Sequence, residues 1–135
     1  MSSRTQGIHH AGLTVPDVPA AQAFFEEALG FSQVGEVADY PAVFLSDGSV
    51  MLTLWRAADP ANATPFDRRR NLGLHHFALR VESPGELKAL HDELAQRDDV
   101  AIEFAPESLG GGPTHHMMCT IPGGLRLELI APVPS

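Results

Sequence analysis

Apolar and polar positions alternate along residues 8–15, where Leu13 and Val15 interleave with Gly12 and Thr14. A period of two predicts a half-buried strand. The period then lengthens. Asp17 is a helix N-cap residue, and Ala21, Phe24, Phe25, Ala28 and Leu29 fall on one helical stripe that Gly30 can close in the left-handed conformation. Three short strands follow, near 32–38, 41–46 and 50–56, the last two joined by the hairpin signal Asp47-Gly48. Residues 57–73 read as a linker, with turn formers Asp59-Pro60, Asn62 and Pro65 and a solvated charge run Arg68-Arg69-Arg70. The same order then repeats. A strand over 74–82 leads to Ser83-Pro84-Gly85-Glu86, which has capping-box spacing with proline at the first helical position. Leu87, Leu90 and Leu94 form a helical stripe, and strands are expected near 100–105, 114–121 and 125–131, with Pro122-Gly123-Gly124 turning the chain between the last two.

The repetition extends to individual residues. Ile8-His9-His10-Ala11-Gly12-Leu13-Thr14-Val15 returns as Leu74-His75-His76-Phe77-Ala78-Leu79-Arg80-Val81, and four of the eight positions are identical, both histidines among them. A histidine pair in the same register of each half marks a duplicated unit. The expected class is therefore α+β: paired βαβββ modules, 8–56 and 74–131, joined by linker 57–73 within a single domain 1–135.

Composition narrows the picture. At 135 residues, 44% hydrophobic and 19% charged, the chain is long enough for a real core and is of ordinary globular make-up. Its formal net charge of -8 repels a phosphate backbone, so nucleic acid is not an expected partner. No apolar run nears the roughly 20 residues of a membrane span, and the first residues lack the apolar core of a signal peptide. Cys119 is the only cysteine, which excludes an internal disulfide. These features together place the expected protein in the cytoplasm, without a membrane partner.

Strand alternation sorts the histidines. His10 shares a face with Gly12 and Thr14, and His76 with Ala78 and Arg80; Leu13, Val15, Phe77, Leu79 and Val81 occupy the faces a helix would cover. His9 and His75 fall on the apolar side. In the last strand Leu125, Leu127 and Leu129 line one face, and Arg126, Glu128 and Ile130 the other. A lone carboxylate in so apolar a segment needs a partner, because an unpaired buried charge is very costly. Two histidines and one carboxylate make the facial triad that holds Fe(II) and similar metals with positions left open. His10, His76 and Glu128 are the expected metal ligands, one divalent ion (Fe2+, Mn2+, Zn2+ or Ni2+) per site. Thr53 stands at Glu128's place in the first module and is a poor ligand. The plainer alternative pairs Glu128 with Arg126 or Arg80. His116 is a candidate general acid or base, whereas Cys119 reads as a core residue. Trp55 and Met118 are candidates for the wall of an apolar pocket.

Four segments carry a resemblance to a known family: 8–17, 24–31, 73–76 and 122–129. The chain resembles the vicinal oxygen chelate superfamily, which contains glyoxalases, bleomycin-resistance proteins and extradiol dioxygenases. The resemblance implies paired βαβββ modules whose curved mixed sheets enclose a metal site, with His10, His76 and Glu128 as ligands and a small oxygen-chelating organic molecule as substrate. It also implies a homodimer. Glyoxalase-type lyases usually carry a carboxylate or amide ligand where Thr53 stands. Extradiol dioxygenases use a tyrosine shortly before the carboxylate ligand, where this chain has Met117 and Met118; Tyr40 is its only tyrosine. Fosfomycin-inactivating transferases have a threonine where Gly12 stands. Dioxygenase-type chemistry is narrowly the leading expectation, followed by glyoxalase-type lyase or isomerase chemistry, and then by a non-catalytic binding protein of the antibiotic-resistance type.

Overall fold

Each half of the chain builds one strand–helix–three-strand module. The computed structural model describes residues 2–39 and 41–132, so Tyr40 lies outside the described residues. The chain divides into two compact units, Met1–Ala63 and Thr64–Ser135, with the boundary inside the expected linker. The first holds β1 (His10–Val15), α1 (Val18–Leu29), β2 (Ser32–Val37), β3 (Ala42–Ser46), β4 (Met51–Arg56) and a 3-10 turn at Pro60–Asn62. The second holds β5 (Phe77–Arg80), α2 (Pro84–Leu94), β6 (Ala101–Ser108), β7 (His115–Ile121) and β8 (Leu125–Ala131).

The two four-stranded sheets have the orders β1-β4-β3-β2 and β5-β8-β7-β6. In both, the first strand pairs parallel with the last, and the other pairs are antiparallel. The parallel pair needs a long crossover, which the helix and the two intervening strands supply. This is the paired βαβββ fold expected from the sequence, with two mixed sheets.

The helices begin and end where the capping residues stand. Asp17 accepts from the Ala20 amide at 3.0 Å, and Gly30 closes α1 at φ 75. Ser83 accepts from the Glu86 amide at 3.1 Å, with Pro84 in the first turn. α1 packs on β3 and β4, and α2 on β6, β7 and β8. Phe24, Phe25, Leu52 and Leu54 are buried in the first unit, and Leu87, Leu94, Leu127 and Leu129 in the second. Cys119 is fully buried there, and burial pushes its thiol up to about 11, which keeps it a protonated core side chain. Among the described residues no helix is long and apolar enough to cross a membrane.

Two elements differ from expectation. β5 is shorter than 74–82, because its ladder with β8 starts at Phe77↔Leu127 and leaves both histidines before the strand. β6 runs on to Ser108 through Pro106, which an edge strand tolerates because no ladder partner needs that proline's missing N–H. In addition, Arg68 is not simply solvated. It reaches Glu103 at 3.1 Å and ties the 64–73 segment to the edge of the second sheet.

Candidate metal centre

The duplicated histidine pairs adopt the same local geometry in both units. His9 and His10 meet edge to face with ring centroids 5.1 Å apart and Nδ1 atoms 2.9 Å apart. His75 and His76 repeat this at 5.1 Å and 2.8 Å. Beyond the pairs, alternation holds as expected. Leu13 and Val15 are buried while Gly12 and Thr14 are exposed, and Val81 is buried while Ala78 and Arg80 are exposed. His9 and His75 are exposed instead of lying on the buried side. Neither lies within a strand, so strand alternation does not reach them.

In the second unit the face opposite α2 carries a polar cluster in an apolar frame. Leu125, Leu127, Leu129 and Ala131 of β8 are buried, while Arg126, Glu128 and Ile130 are half-buried on the other face. Glu128 Oε1 lies 3.2 Å from His76 Nε2, and Glu128 Oε2 lies 2.6 Å from His116 Nδ1. A carboxylate only accepts, so His116 donates its Nδ1–H to Glu128, while His76 Nε2 stands beside Oε1 at ion-pair distance. Glu128 and His116 are nearly enclosed, with side-chain exposures of 12% and 13%. Phe104 packs against the His116 ring with centroids 4.9 Å apart.

The plainer pairing of Glu128 with an arginine does not form. Arg126 is engaged by Glu103 through two hydrogen bonds, Nε to Oε1 at 2.8 Å and Nη2 to Oε2 at 2.6 Å. Those bonds, with Arg68 adding a third, hold the Glu103 carboxyl down to about 2. The same carboxylate raises the Arg126 guanidinium further still. His75, 3.4 Å from Arg126 Nη1, is made less basic, first by desolvation and then by that cation.

The structure therefore brings two of the expected ligands together, His76 and Glu128, and adds His116 to them. His10 lies in the other unit, on β1, with Met51 of β4 as its ladder partner. Among the described residues no set of three or more His, Cys, Asp and Glu side chains is disposed to hold a metal ion. The donors that do converge, an imidazole and a carboxylate, are of the kind that borderline divalent metals take.

Register also settles the correspondence between the modules. Gly12 pairs with Thr53 as Ala78 pairs with Glu128, so Thr53 occupies Glu128's place, as expected. Thr53 is buried, and its Oγ1 accepts a 2.8 Å bond from Trp55 Nε1. Phe44 lies 6.1 Å from Trp55, ring to ring, so Trp55 packs within the first sheet.

The sequence singled out His116 without its link to Glu128. A signal was present. The tight turn after Ile121 sets Met118 opposite Glu128, which makes His116 the diagonal neighbour on the same face.

Comparison with known proteins agrees with this architecture. The family model of the Glyoxalase/Bleomycin resistance protein/Dioxygenase superfamily matches residues 7–129. Among curated relatives, a 2-epi-5-epi-valiolone epimerase from Actinomyces sp is 27% identical, covering 91% of this chain and 78% of the relative. Among solved structures, a glyoxylase/bleomycin resistance protein/dioxygenase domain from Frankia sp. EAN1pec superposes with a TM-score of 0.81 at 22% identity, covering 97% of this chain and 95% of that one. A lactoylglutathione lyase from Agrobacterium tumefaciens superposes with a TM-score of 0.70 at 19% identity over 96% of both chains. At such identities the structural likenesses carry the fold alone. With a match that takes in both βαβββ modules, the chain belongs to the Glyoxalase/Bleomycin resistance protein/Dioxygenase superfamily.

Proposed function

We propose that this chain is a metal-dependent enzyme acting on a small oxygen-chelating organic molecule, with His10, His76 and Glu128 as metal ligands. The observation that carries the proposal is the Glu128 carboxylate on an otherwise apolar strand, held between two histidines and passed over by the neighbouring arginine. His10 is assigned by its place in the duplicated motif. A bound divalent cation would act as a Lewis acid toward two substrate oxygens. The chain's own residues would hold that cation, and the Glu128 carboxylate would offer a proton acceptor beside it, with His116 on its second oxygen.

That carboxylate favours proton transfer at a carbon next to a carbonyl, of the epimerase, isomerase or lyase kind, over the dioxygenase chemistry that the sequence narrowly put first. The similarity to an epimerase points the same way. Two measurements on protein reconstituted with Mn2+, Fe2+, Ni2+ or Zn2+ separate the readings. Deuterium uptake from solvent at the substrate's carbonyl-adjacent carbon, without oxygen consumption, supports proton transfer. Oxygen consumption with catechol-like substrates restores the dioxygenase reading. Failure to retain any of the four metals leaves a binding protein.

The assembly proposed is a two-fold homodimer with two equivalent sites. β1 and β2 edge one sheet, and β5 and β6 the other, and sheet edges call for covering. Light scattering at micromolar concentration tests it, and a monomer would refute it.

A further inference from the structure

Glu128 has two oxygens, and they meet different neighbours. Oε1 faces His76 at 3.2 Å, whereas Oε2 takes the Nδ1–H of His116 at 2.6 Å. The second contact is at the short end of charge-assisted hydrogen bonds and lies in a largely enclosed place. The His116 ring is itself fixed. Phe104 stands edge to face against it at 4.9 Å, and its backbone is held in the β7–β8 ladder opposite Ile130. On its far side Glu107 Oε1 lies 3.9 Å from Nε2, beyond hydrogen-bonding distance. The strongest directional contact of His116 is therefore the one it makes with Glu128.

The other module supplies an internal control. In the first sheet Ala42 pairs with Trp55 and Phe44 with Thr53; in the second His116 pairs with Ile130 and Met118 with Glu128. Ala42 thus occupies the place of His116, as Thr53 occupies that of Glu128. Where the carboxylate is missing the histidine is missing too, and where one is present so is the other.

We infer that His116 is a positioning residue: its Nδ1–H holds Glu128 Oε2, so that Glu128 presents Oε1, on the His76 side, as its single ligand oxygen. The inference rests on the metal-centre reading above. It assigns His116 a role through Glu128, distinct from direct proton exchange with substrate. Partners of this kind, one shell behind the ligands, typically change metal affinity by about 10–100-fold.

Calorimetric titration of the full chain with Ni2+ tests it, using wild type, His116→Asn, His116→Gln and His116→Ala. An asparagine amide nitrogen reaches the place of Nδ1, whereas a glutamine amide reaches that of Nε2. The expected result is a loss of about 10–100-fold in Ni2+ affinity for His116→Ala and His116→Gln, with His116→Asn within a few-fold of wild type. A merely structural histidine would not separate the Asn and Gln variants. Should the alanine variant fail to fold, the Asn/Gln comparison decides. A second readout needs no metal: 15N spectra of the metal-free protein should show the His116 proton on Nδ1, and its signal should shift in Glu128→Gln. Wild-type binding with all three variants equally tight, or a His116 ring protonated only on Nε2, overturns the positioning role alone. Failure of wild type to bind Ni2+, Mn2+, Fe2+ or Zn2+ overturns the metal-centre reading, and the positioning role falls with it.

Discussion

Thr53, at the centre of β4, takes its hydrogen bond from Trp55, two residues along the same strand. At the same register point of β8, Glu128 draws its partners from β7 and from the residue before β5. The first arrangement is neutral, with the Thr53 hydroxyl also donating to the Ala11 carbonyl of β1 at 3.5 Å. It is also tight: a Cβ on Gly12 would come within 3.1 Å of Thr53 Oγ1, whereas the equivalent residue beside Glu128 is Ala78, which carries a Cβ. The second arrangement leaves a carboxylate and two imidazoles on one face. One backbone plan thus yields a packed polar spot in one module and a carboxylate–imidazole cluster in the other. The exchange takes three positions together: Thr53 for Glu128, Ala42 for His116, and Trp55 for Ile130.

If the modules differ at that spot and not in their cores, matching core truncations should cost alike. Leu52 and Leu127 occupy equivalent places and are both buried, at 1% and 0% exposure. Leu52→Ala and Leu127→Ala should each destabilise the protein by about 3 kcal/mol, read from denaturant melts. A large inequality would mean that one module carries the stability of the other.

The site substitutions should then diverge. Glu128→Gln removes the proposed anionic ligand and is expected to weaken divalent-metal binding about a hundredfold or more, more than a residue behind the ligands would. Thr53→Val should leave metal content by mass spectrometry unchanged, at a stability cost of about 1 kcal/mol for the lost Trp55 bond. Equal metal loss in both variants would break the assignment of the site to the second module.

The smallest effect concerns Glu103. Its carboxyl is held at about 2, chiefly by the hydrogen bonds from Arg126. A depressed folded-state value means that the native protein binds this proton less readily than the unfolded chain. The stabilisation is therefore complete above the ordinary value of 4.5 and fades as pH falls toward about 2. With the side chain 35% exposed, solvent screening limits it to about 1 kcal/mol or less. Glu103→Gln should flatten that part of the acid stability curve, and an unchanged slope would mean that the Arg126 pair contributes nothing.

Much of this was legible in the sequence because local chemistry set it. Asp17, Gly30 and Ser83 cap the helices as their residue types require. β8 spans Leu125–Ala131 as the leucine alternation and the preceding glycine turn indicate. Glu128 was legible for the same reason, being the one carboxylate on the polar face of an apolar strand. What depends on a register between distant segments was not. The Arg68–Glu103 tie needs the path of the linker across the sheet edge, which no local pattern encodes. Glu103 also falls at a register shift between Ile102 and Phe104, so counting along β6 does not place it beside Arg126. The start of β5 was misjudged because the alternation continues past the point where the ladder with β8 begins.

A crystal of the protein soaked with Mn2+ or Ni2+ puts the metal centre to the most direct test, through an anomalous-difference map. The expected result is one strong peak per chain at about 2.0–2.2 Å from Glu128 Oε1 and from His76 Nε2, with His10 as the third protein ligand. Saturating metal that gives no peak at Glu128, or a peak only on exposed histidines such as His9 or His75, would contradict the assignment.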